Sequence, residues 1–131
     1  MIHVLDAYAL MAYFEKESGY EQVQTLLERA AGGAPLLLSA VNWGEVYYIT
    51  LREHGHKAAE EVANVVATFP IEVVPADLSI ARQAAMYKAA HKMSYADCFA
   101  AALAKQRKAV LVTGDREFKS LEADIRITWI Q

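Results

Sequence analysis

One apolar run, Ala109-Val110-Leu111-Val112-Thr113, leads directly into Gly114-Asp115. The same order of apolar residues followed by an acid occurs near the amino terminus, in Ile2-His3-Val4-Leu5-Asp6. Continuous apolar runs of this length, bounded by turn residues, are typical of strands that are buried on both faces of a parallel sheet. Further strands are predicted at residues 35–39, 71–74 and 125–130.

Helical segments separate the predicted strands. One of them opens with Ser18-Gly19-Tyr20-Glu21, which has the form of a capping box, and ends at Gly32-Gly33. Strands that alternate with helices predict an α/β fold in which a mostly parallel sheet is covered on both faces. The other helices are predicted over residues 9–14, 40–53, 57–69, 94–105 and 116–121, and from Asp77 or Ser79 to His91.

Length and composition limit the class of protein. With 131 residues, of which 55% are apolar and 22% charged, the chain is predicted to form a single domain over residues 1–131. We expect no membrane span, because the apolar runs are too short, and no signal peptide, because Asp6 comes so early. Cys98 is the only cysteine, which excludes an intramolecular disulfide and a cysteine-based zinc site and favours a reducing, cytoplasmic location.

Charge is distributed unevenly along the chain. The net charge of −3 argues at first against a nucleic-acid partner. Residues 1–81 contain 4 Lys or Arg against 11 Asp or Glu, which gives −7, whereas residues 82–131 contain 9 against 5, which gives +4. If a metal neutralises four of the acids, 13 basic residues face 12 acidic ones, and a polyanion could then be tolerated near the carboxy-terminal half, although this electrostatic signal is modest.

Four acids occupy the ends of strands or the first turns of apolar helices. Asp6 and Asp115 follow strands, and Glu45 and Asp97 lie in the opening turns of helices. Parallel strands bring their carboxyl ends to one edge of a sheet, so these acids can meet in one crevice. Singly, each also has a structural interpretation: Asp6 could accept amide hydrogen bonds in a turn, and Asp115 could cap the following helix.

The structural interpretation of the other two acids depends on where their helices begin. Glu45 comes three residues after Asn42, and Asp97 three residues after Ser94, so both fit the second position of a capping box. If Ser39 caps its helix instead of Asn42, Glu45 lies a turn deeper and loses that role.

Together, the four acids favour a metal-dependent reaction. Two carboxylates about 5 Å apart repel by roughly 3 kcal/mol at an effective dielectric near 20, so a cluster of them implies a bound divalent cation. Ligands that are all oxygens suit a hard ion such as Mg²⁺ or Mn²⁺. A metal-activated water that attacks a phosphodiester is then the expected chemistry.

Four segments carry a resemblance to a known family. They are Val4-Leu5-Asp6, Leu38-Ser39-Ala40-Val41-Asn42-Trp43-Gly44-Glu45-Val46-Tyr47-Tyr48, Ser94-Tyr95-Ala96-Asp97-Cys98-Phe99-Ala100-Ala101-Ala102-Leu103-Ala104 and Leu111-Val112-Thr113-Gly114-Asp115-Arg116-Glu117-Phe118. In order and spacing they resemble the PIN domain, and in detail the VapC-type ribonuclease toxins of bacterial and archaeal toxin–antitoxin pairs. The resemblance spans essentially the whole chain.

The resemblance implies a three-layer α/β/α fold with a central five-stranded, mostly parallel sheet and the first strand in the middle. It also implies that Asp6, Glu45, Asp97 and Asp115 gather around one or two Mg²⁺ or Mn²⁺ ions and that the protein cleaves RNA endonucleolytically. Relatives typically form homodimers, and a cognate antitoxin inserts its carboxy-terminal segment into their acidic groove.

The residues after Asp6 depart from the family pattern. Family members usually carry Ser or Thr one or two positions further on, whereas this chain has Ala7-Tyr8-Ala9. Tyr8 could supply a hydroxyl from further away, pack against the protein, or stack on a base. The departure leaves the acids intact and puts the local geometry in doubt more than the reaction class.

Five further residues are candidates for supporting roles, each beside a structural alternative. Thr113 could bond a metal-bound water or a phosphate, or could be an ordinary strand residue. Asn42 and Ser94 could orient the neighbouring acids or cap their helices. Arg116 and Lys119 could contact phosphate or lie on a solvated helix face.

Two residues near the acids are assigned structural roles. Glu117 is a candidate fifth carboxylate, but an exposed helix position is the favoured interpretation. Cys98 is predicted to be a small apolar filler rather than a nucleophile, because no histidine is placed to activate it.

Two other functions compete with the ribonuclease. In a phosphatase-like domain Asp6 would form an aspartyl-phosphate, but such a site requires a second Asp two residues later, where this chain has Tyr8. A catalytically impaired PIN-like module that binds RNA or protein is favoured by the missing Ser or Thr. It is disfavoured by the presence of all four acids.

Overall fold

The computed structural model describes residues 1–131 and has a five-stranded sheet at its centre. The strand order is β3-β2-β1-β4-β5, and every pairing is parallel. The middle strand is β1, in which Leu5 lies level with Leu38 of β2 and Val112 of β4. The strands are β1 (His3–Leu5), β2 (Leu36–Ser39), β3 (Ile71–Val74), β4 (Val110–Thr113) and β5 (Arg126–Trp129).

Six α-helices and one 3-10 helix connect the strands. Side chains that accept amide hydrogen bonds begin several of them: Ser39, Asp77 and Ser94 each cap the helix that follows. The helices are α1 (Ala7–Phe14), α2 (Tyr20–Ala30), α3 (Ala40–His54), α4 (His56–Thr68), α5 (Leu78–Ala90), α6 (Tyr95–Arg107) and the 3-10 helix Arg116–Leu121.

Helices cover both faces of the sheet, and two apolar clusters result. Successive residues of a strand point to opposite faces. Val4 and Leu111 accordingly belong to the cluster that includes α5 and α6, whereas Leu5 and Val112 belong to the cluster that includes α1 and α2. Burial on both faces explains why the central strands are apolar except at their ends.

Small side chains allow α6 to pack tightly. Residues 98–104 of this helix are all buried, and four of the seven are alanines. A helix that is buried all round fits between the sheet and α5 only if much of its surface is small. This packing holds the first turn of α6, with Asp97, at the edge of the sheet.

The predicted α/β fold with a central five-stranded sheet between two helical layers is confirmed, and the sheet is entirely parallel. No turn separates β1 from the first helix, which begins at Ala7 rather than at Ala9. The prediction that Ser18 opens a capping box is wrong. The N-cap of α2 is Gly19, with no side-chain hydrogen bond.

The conformation of Gly19 explains the missing capping box. Its φ of +95° is left-handed, and a Cβ at this position would lie 2.9 Å from both the Ile130 Cβ and the Gln131 carbonyl oxygen. The chain end packs against this turn, so the helix begins in a left-handed turn at Gly19 and Ser18 lies outside it. None of the helices combines the length and the apolar character needed to cross a membrane.

Candidate functional site

The carboxyl ends of the three central strands lie at the same edge of the sheet. Asp6 follows β1, Ser39 ends β2, and Gly114-Asp115 follows β4. The parallel pairing of β1 with both neighbours brings these ends together. Asp6 and Thr113, for example, are 107 residues apart in the sequence.

Asp6 lies at the bottom of this edge and is 1% exposed. Its Oδ1 accepts the Ala9 amide at 2.8 Å, which caps α1, and its Oδ2 accepts the Thr113 hydroxyl at 2.5 Å. Burial raises the pKa of Asp6 to about 7; the two hydrogen bonds lower it, and the charges of Asp97 and Asp115 raise it. The carboxyl is therefore held in place but is costly to ionise.

Thr113 connects Asp6 with Asp115. Its hydroxyl oxygen accepts the Asp115 amide at 3.0 Å while its proton goes to Asp6. Asp115 in turn accepts the Glu117 amide at 3.0 Å and caps the 3-10 helix, as its structural interpretation predicted. The hydroxyl of Thr113 is thus used within the protein, and the residue is fully buried.

Asp97 approaches the same edge from the first turn of α6. The Ser94 hydroxyl accepts the Asp97 amide at 3.1 Å, so Ser94 caps the helix. Burial raises the pKa of Asp97 to about 7, with further increases from Asp115 and Glu45. The negative charges of Asp115 and Glu45 therefore act on the carboxyl of Asp97.

Glu45 is linked to α6 through Asn42. Ser39 caps α3 by accepting the Val41 amide at 3.2 Å, so Asn42 is not the cap. Instead Asn42 is fully buried, and its Nδ2 donates to the Glu45 Oε1 at 2.8 Å and to the Ala96 carbonyl at 3.1 Å. Burial raises the pKa of Glu45, the Asn42 bond lowers it, and Asp115 raises it.

Glu117 forms a close group with two of the four predicted acids, and this group does not include Asp6 or Glu45. Oxygens of Asp97, Asp115 and Glu117 all lie within 4.8 Å of one another. Glu117 is exposed, as its favoured interpretation predicted, yet its carboxylate belongs to the cluster. Glu117 comes two residues after Asp115, in the first turn of the 3-10 helix, and this spacing is the sequence signal for its role as a fifth carboxylate.

The donor set suits a hard divalent cation. Every side chain of the cluster offers carboxylate oxygens, and the raised pKa values of Asp6, Glu45 and Asp97 record burial and mutual repulsion. A cation of two positive charges removes that repulsion and stabilises the ionised form of each carboxyl. The residues present therefore fit Mg²⁺ or Mn²⁺.

The two candidate phosphate contacts lie on the exposed 3-10 helix. The guanidinium of Arg116 lies 4.9 Å from the centre of the Trp129 ring, a cation–π contact that holds it beside the end of β5. Lys119 is exposed. Both remain free to meet solvent next to Asp115.

Tyr8 lies at the rim of the acidic edge. It is 47% exposed, whereas Ala7 and Ala9 on either side of it are buried. Its ring packs against Gly114, since a Cβ built on that glycine would lie 2.3 Å from the Tyr8 Cε1. Cys98, in contrast, is fully buried in the core, in agreement with its predicted role as an apolar filler.

Comparison with known proteins gives one family and a set of similar folds. The family model of the PIN domain matches residues 3–124. No curated protein matches the sequence.

Among solved structures, the chain resembles one of Rickettsia felis VapBC2 bound to a promoter DNA fragment, with a TM-score of 0.79, 15% identity and 100% of both chains covered. The DNA-bound VapBC of Salmonella typhimurium gives a TM-score of 0.78 at 19% identity, covering 98% of this chain and 97% of that chain. Mycobacterium tuberculosis VapC20, a toxin that cleaves the sarcin–ricin loop, gives 0.72 at 17% identity, covering 94% and 95%.

Proposed function

Because this chain belongs to the PIN domain family, we propose that it is a divalent-metal-dependent endoribonuclease and the toxin of a type II toxin–antitoxin pair. The observation that carries the proposal is the cluster of carboxylates at one sheet edge, with oxygens of Asp97, Asp115 and Glu117 within 4.8 Å of one another. Burial raises the pKa of Asp6 and of Glu45, and the negative charge of Asp115 raises both further. Carboxylates gathered in this way repel one another and become favourable once a cation is bound.

Asp6, Asp97, Asp115 and Glu45 would hold Mg²⁺ or Mn²⁺. When bound, such an ion supplies Lewis acidity, which makes a water more acidic and offsets charge on a phosphodiester. Thr113 keeps Asp6 oriented and favours its ionised form through the hydrogen bond that it donates. Asn42 orients Glu45 and ties it to the start of α6.

The cationic residues next to the cluster would position the RNA backbone. Arg116, held against Trp129, and Lys119 lie directly after Asp115, where their charge can meet phosphate oxygens. Their field also offsets part of the negative potential of the acids, which would otherwise repel a polyanion.

The proposal extends to the partners of this protein. The structures of similar fold include VapBC complexes, which supports a cognate antitoxin as the protein partner. We also propose that the protein forms a homodimer, that it is cytoplasmic and that its substrate is RNA.

The test is cleavage of RNA by the purified protein in the presence of Mn²⁺ or Mg²⁺ and in EDTA. We expect metal-dependent endonucleolytic products, and loss of at least about a hundredfold in rate for Asp6→Asn and for Asp97→Asn. Glu28→Gln, which removes an exposed acid on α2, is the matched control and should cleave like the parent protein. Unchanged cleavage by both Asn variants would disprove the assignment of these acids.

A catalytically impaired binding module is the second candidate, and Tyr8 in place of Ser or Thr is the observation that favours it. Calorimetric titration with Mn²⁺ separates the two functions: absence of binding at millimolar metal favours the binding module. A phosphatase-like role for Asp6 is disfavoured, because Tyr8 occupies the position at which such a site requires a second Asp.

A further inference from the structure

Tyr8 is an aromatic residue that packing leaves half exposed. It is the second residue of α1, and its neighbours Ala7 and Ala9 are 8% and 0% exposed while Tyr8 is 47% exposed. The helix therefore buries its small residues against the sheet and places the one large ring at the rim. About half of the Tyr8 side chain is therefore exposed to solvent and has no role in packing the core.

The ring of Tyr8 lies over Gly114. A Cβ at residue 114 would be 2.3 Å from Cε1, 2.8 Å from Cζ and 3.0 Å from the hydroxyl oxygen of Tyr8. The distances to Cε1 and Cζ are shorter than real Cβ contacts, so the ring occupies the space that a Cβ at residue 114 would need. The ring thus rests on the backbone between Thr113 and Asp115.

This position puts an uncharged flat surface one residue from the acidic cluster. Consecutive Cα atoms are about 3.8 Å apart, so the backbone beneath the ring is adjacent to Asp115. A nucleotide whose phosphate lies at the acids has its own base, or the next one, within reach of a ring at this distance. Aromatic rings accept any base by stacking, because every base has a π face.

We propose that Tyr8 is a platform on which an unpaired RNA base stacks beside the phosphate to be cleaved, an inference that rests on the proposed ribonuclease function. A base inside a duplex cannot present its face to the ring, so the platform selects RNA in which at least one nucleotide next to the cleavage position is unpaired. The contact requires the ring of Tyr8 and does not require its hydroxyl.

Steady-state cleavage of a single-stranded oligoribonucleotide with Mn²⁺ tests the platform, with Tyr8→Leu and Tyr8→Phe as the matched pair. Tyr8→Leu retains apolar bulk and helix propensity but removes the aromatic face. We expect it to raise KM by about tenfold or more with little change in kcat, since base–aromatic stacking contributes an amount of this order. Tyr8→Phe should stay within about twofold of the parent protein. Melting temperatures of both variants verify that they fold.

Fluorescence of a 2-aminopurine placed at successive positions of the same oligonucleotide reports stacking directly. The binding is measured with Asp97→Asn protein, so that cleavage does not interfere, with and without Tyr8→Leu. We expect quenching at one or two adjacent positions and its loss in the Tyr8→Leu protein.

The possible results separate this inference from the proposed function. If the parent protein cleaves RNA but Tyr8→Leu leaves KM and quenching unchanged, the platform is overturned while the ribonuclease stands. If Tyr8→Phe loses as much as Tyr8→Leu, the hydroxyl is the required group and the platform is also overturned. If no RNA is cleaved but Tyr8-dependent quenching is present, the ribonuclease fails, and Tyr8 stands as a base-stacking residue of an RNA-binding protein. Absence of quenching overturns the platform.

Discussion

The Thr113 hydroxyl donates a hydrogen bond to the buried carboxylate of Asp6 at 2.5 Å, across 107 residues of sequence. The same oxygen accepts the Asp115 amide, so one small side chain orients the acids that follow two adjacent strands. Since this bond is among the few influences that lower the pKa of Asp6, it affects how readily the carboxyl ionises.

Thr113→Val removes this hydrogen bond at nearly constant volume. The pKa of Asp6 should rise further, because a bond that favours its ionised form is lost. We expect the acidic limb of the pH–rate profile to move upward by about one pH unit, with a several-fold lower rate at pH 7. Thr113→Ser keeps the hydroxyl and should follow the parent profile. Superimposable profiles for the Val variant and the parent protein would contradict this prediction.

Without metal, the protein should become less stable as the pH rises. The pKa of Asp6 in the folded protein is about 7 against an ordinary value of 3.8, so between these limits the folded state binds more protons than the unfolded state. The free energy of unfolding therefore falls from about pH 4 upward and levels off above about pH 7, and Asp97 acts in the same direction.

Thermal unfolding in EDTA between pH 5 and pH 8 measures this effect. We expect the melting temperature at pH 8 to be lower by about 5 °C or more. Millimolar Mn²⁺ should restore much of the difference at pH 8, because the cation stabilises the ionised carboxyls. A metal-free melting temperature that is constant or rises over this interval would refute the account.

Asp6→Asn should stabilise the metal-free protein while it abolishes cleavage. The amide removes a buried charge from the cluster, and its oxygen can still accept the Ala9 amide that caps α1. At pH 8 in EDTA we expect a melting temperature several degrees above that of the parent protein and a weaker dependence on pH. Glu28→Gln, which is far less buried, should change neither quantity; a less stable Asp6→Asn protein would count against repulsion within the cluster.

Asn42→Leu should destabilise the fold and impair the site. The substitution leaves the Ala96 carbonyl and the Glu45 carboxylate without the donor that joins α3 to α6. We expect a loss of about 1–3 kcal/mol in the free energy of unfolding, measured with urea, together with reduced cleavage. Asn64→Leu, at an exposed position of α4, is the control and should stay within about 0.5 kcal/mol. Equal stability of the two variants would show that the Asn42 bonds contribute nothing net.

Much of the fold could be predicted because its signals are local. Apolar runs such as 109–113 must be buried on both faces, and Asp6 and Asp115 directly follow such runs. The capping prediction for Ser18 was wrong for the opposite reason. Gly19 adopts a left-handed turn and lies against Ile130 and Gln131, which are distant in sequence, so local spacing did not show where the helix begins.

The candidate site shows the same division between local and distant causes. That Ser94 precedes Asp97 by three residues is visible in sequence, and Ser94 does cap α6. Asn42 has the same spacing before Glu45, yet Ser39 caps α3 and Asn42 turns to Ala96 instead. Two residues with identical local spacing thus differ because α3 already begins at Ala40, which places Asn42 inside the helix, where it bonds both Glu45 and Ala96.

The amino-acid sequence by itself determined the alternating strands and helices and the position of each acid at an element boundary, because hydrophobic periodicity and capping act over a few residues. Only the tertiary structure decided that Thr113 bonds Asp6, that Glu117 joins the cluster and that Tyr8 rests on Gly114. These contacts depend on strand order and register, which local pattern leaves open, since each joins side chains whose separation is set by the packing of the whole sheet.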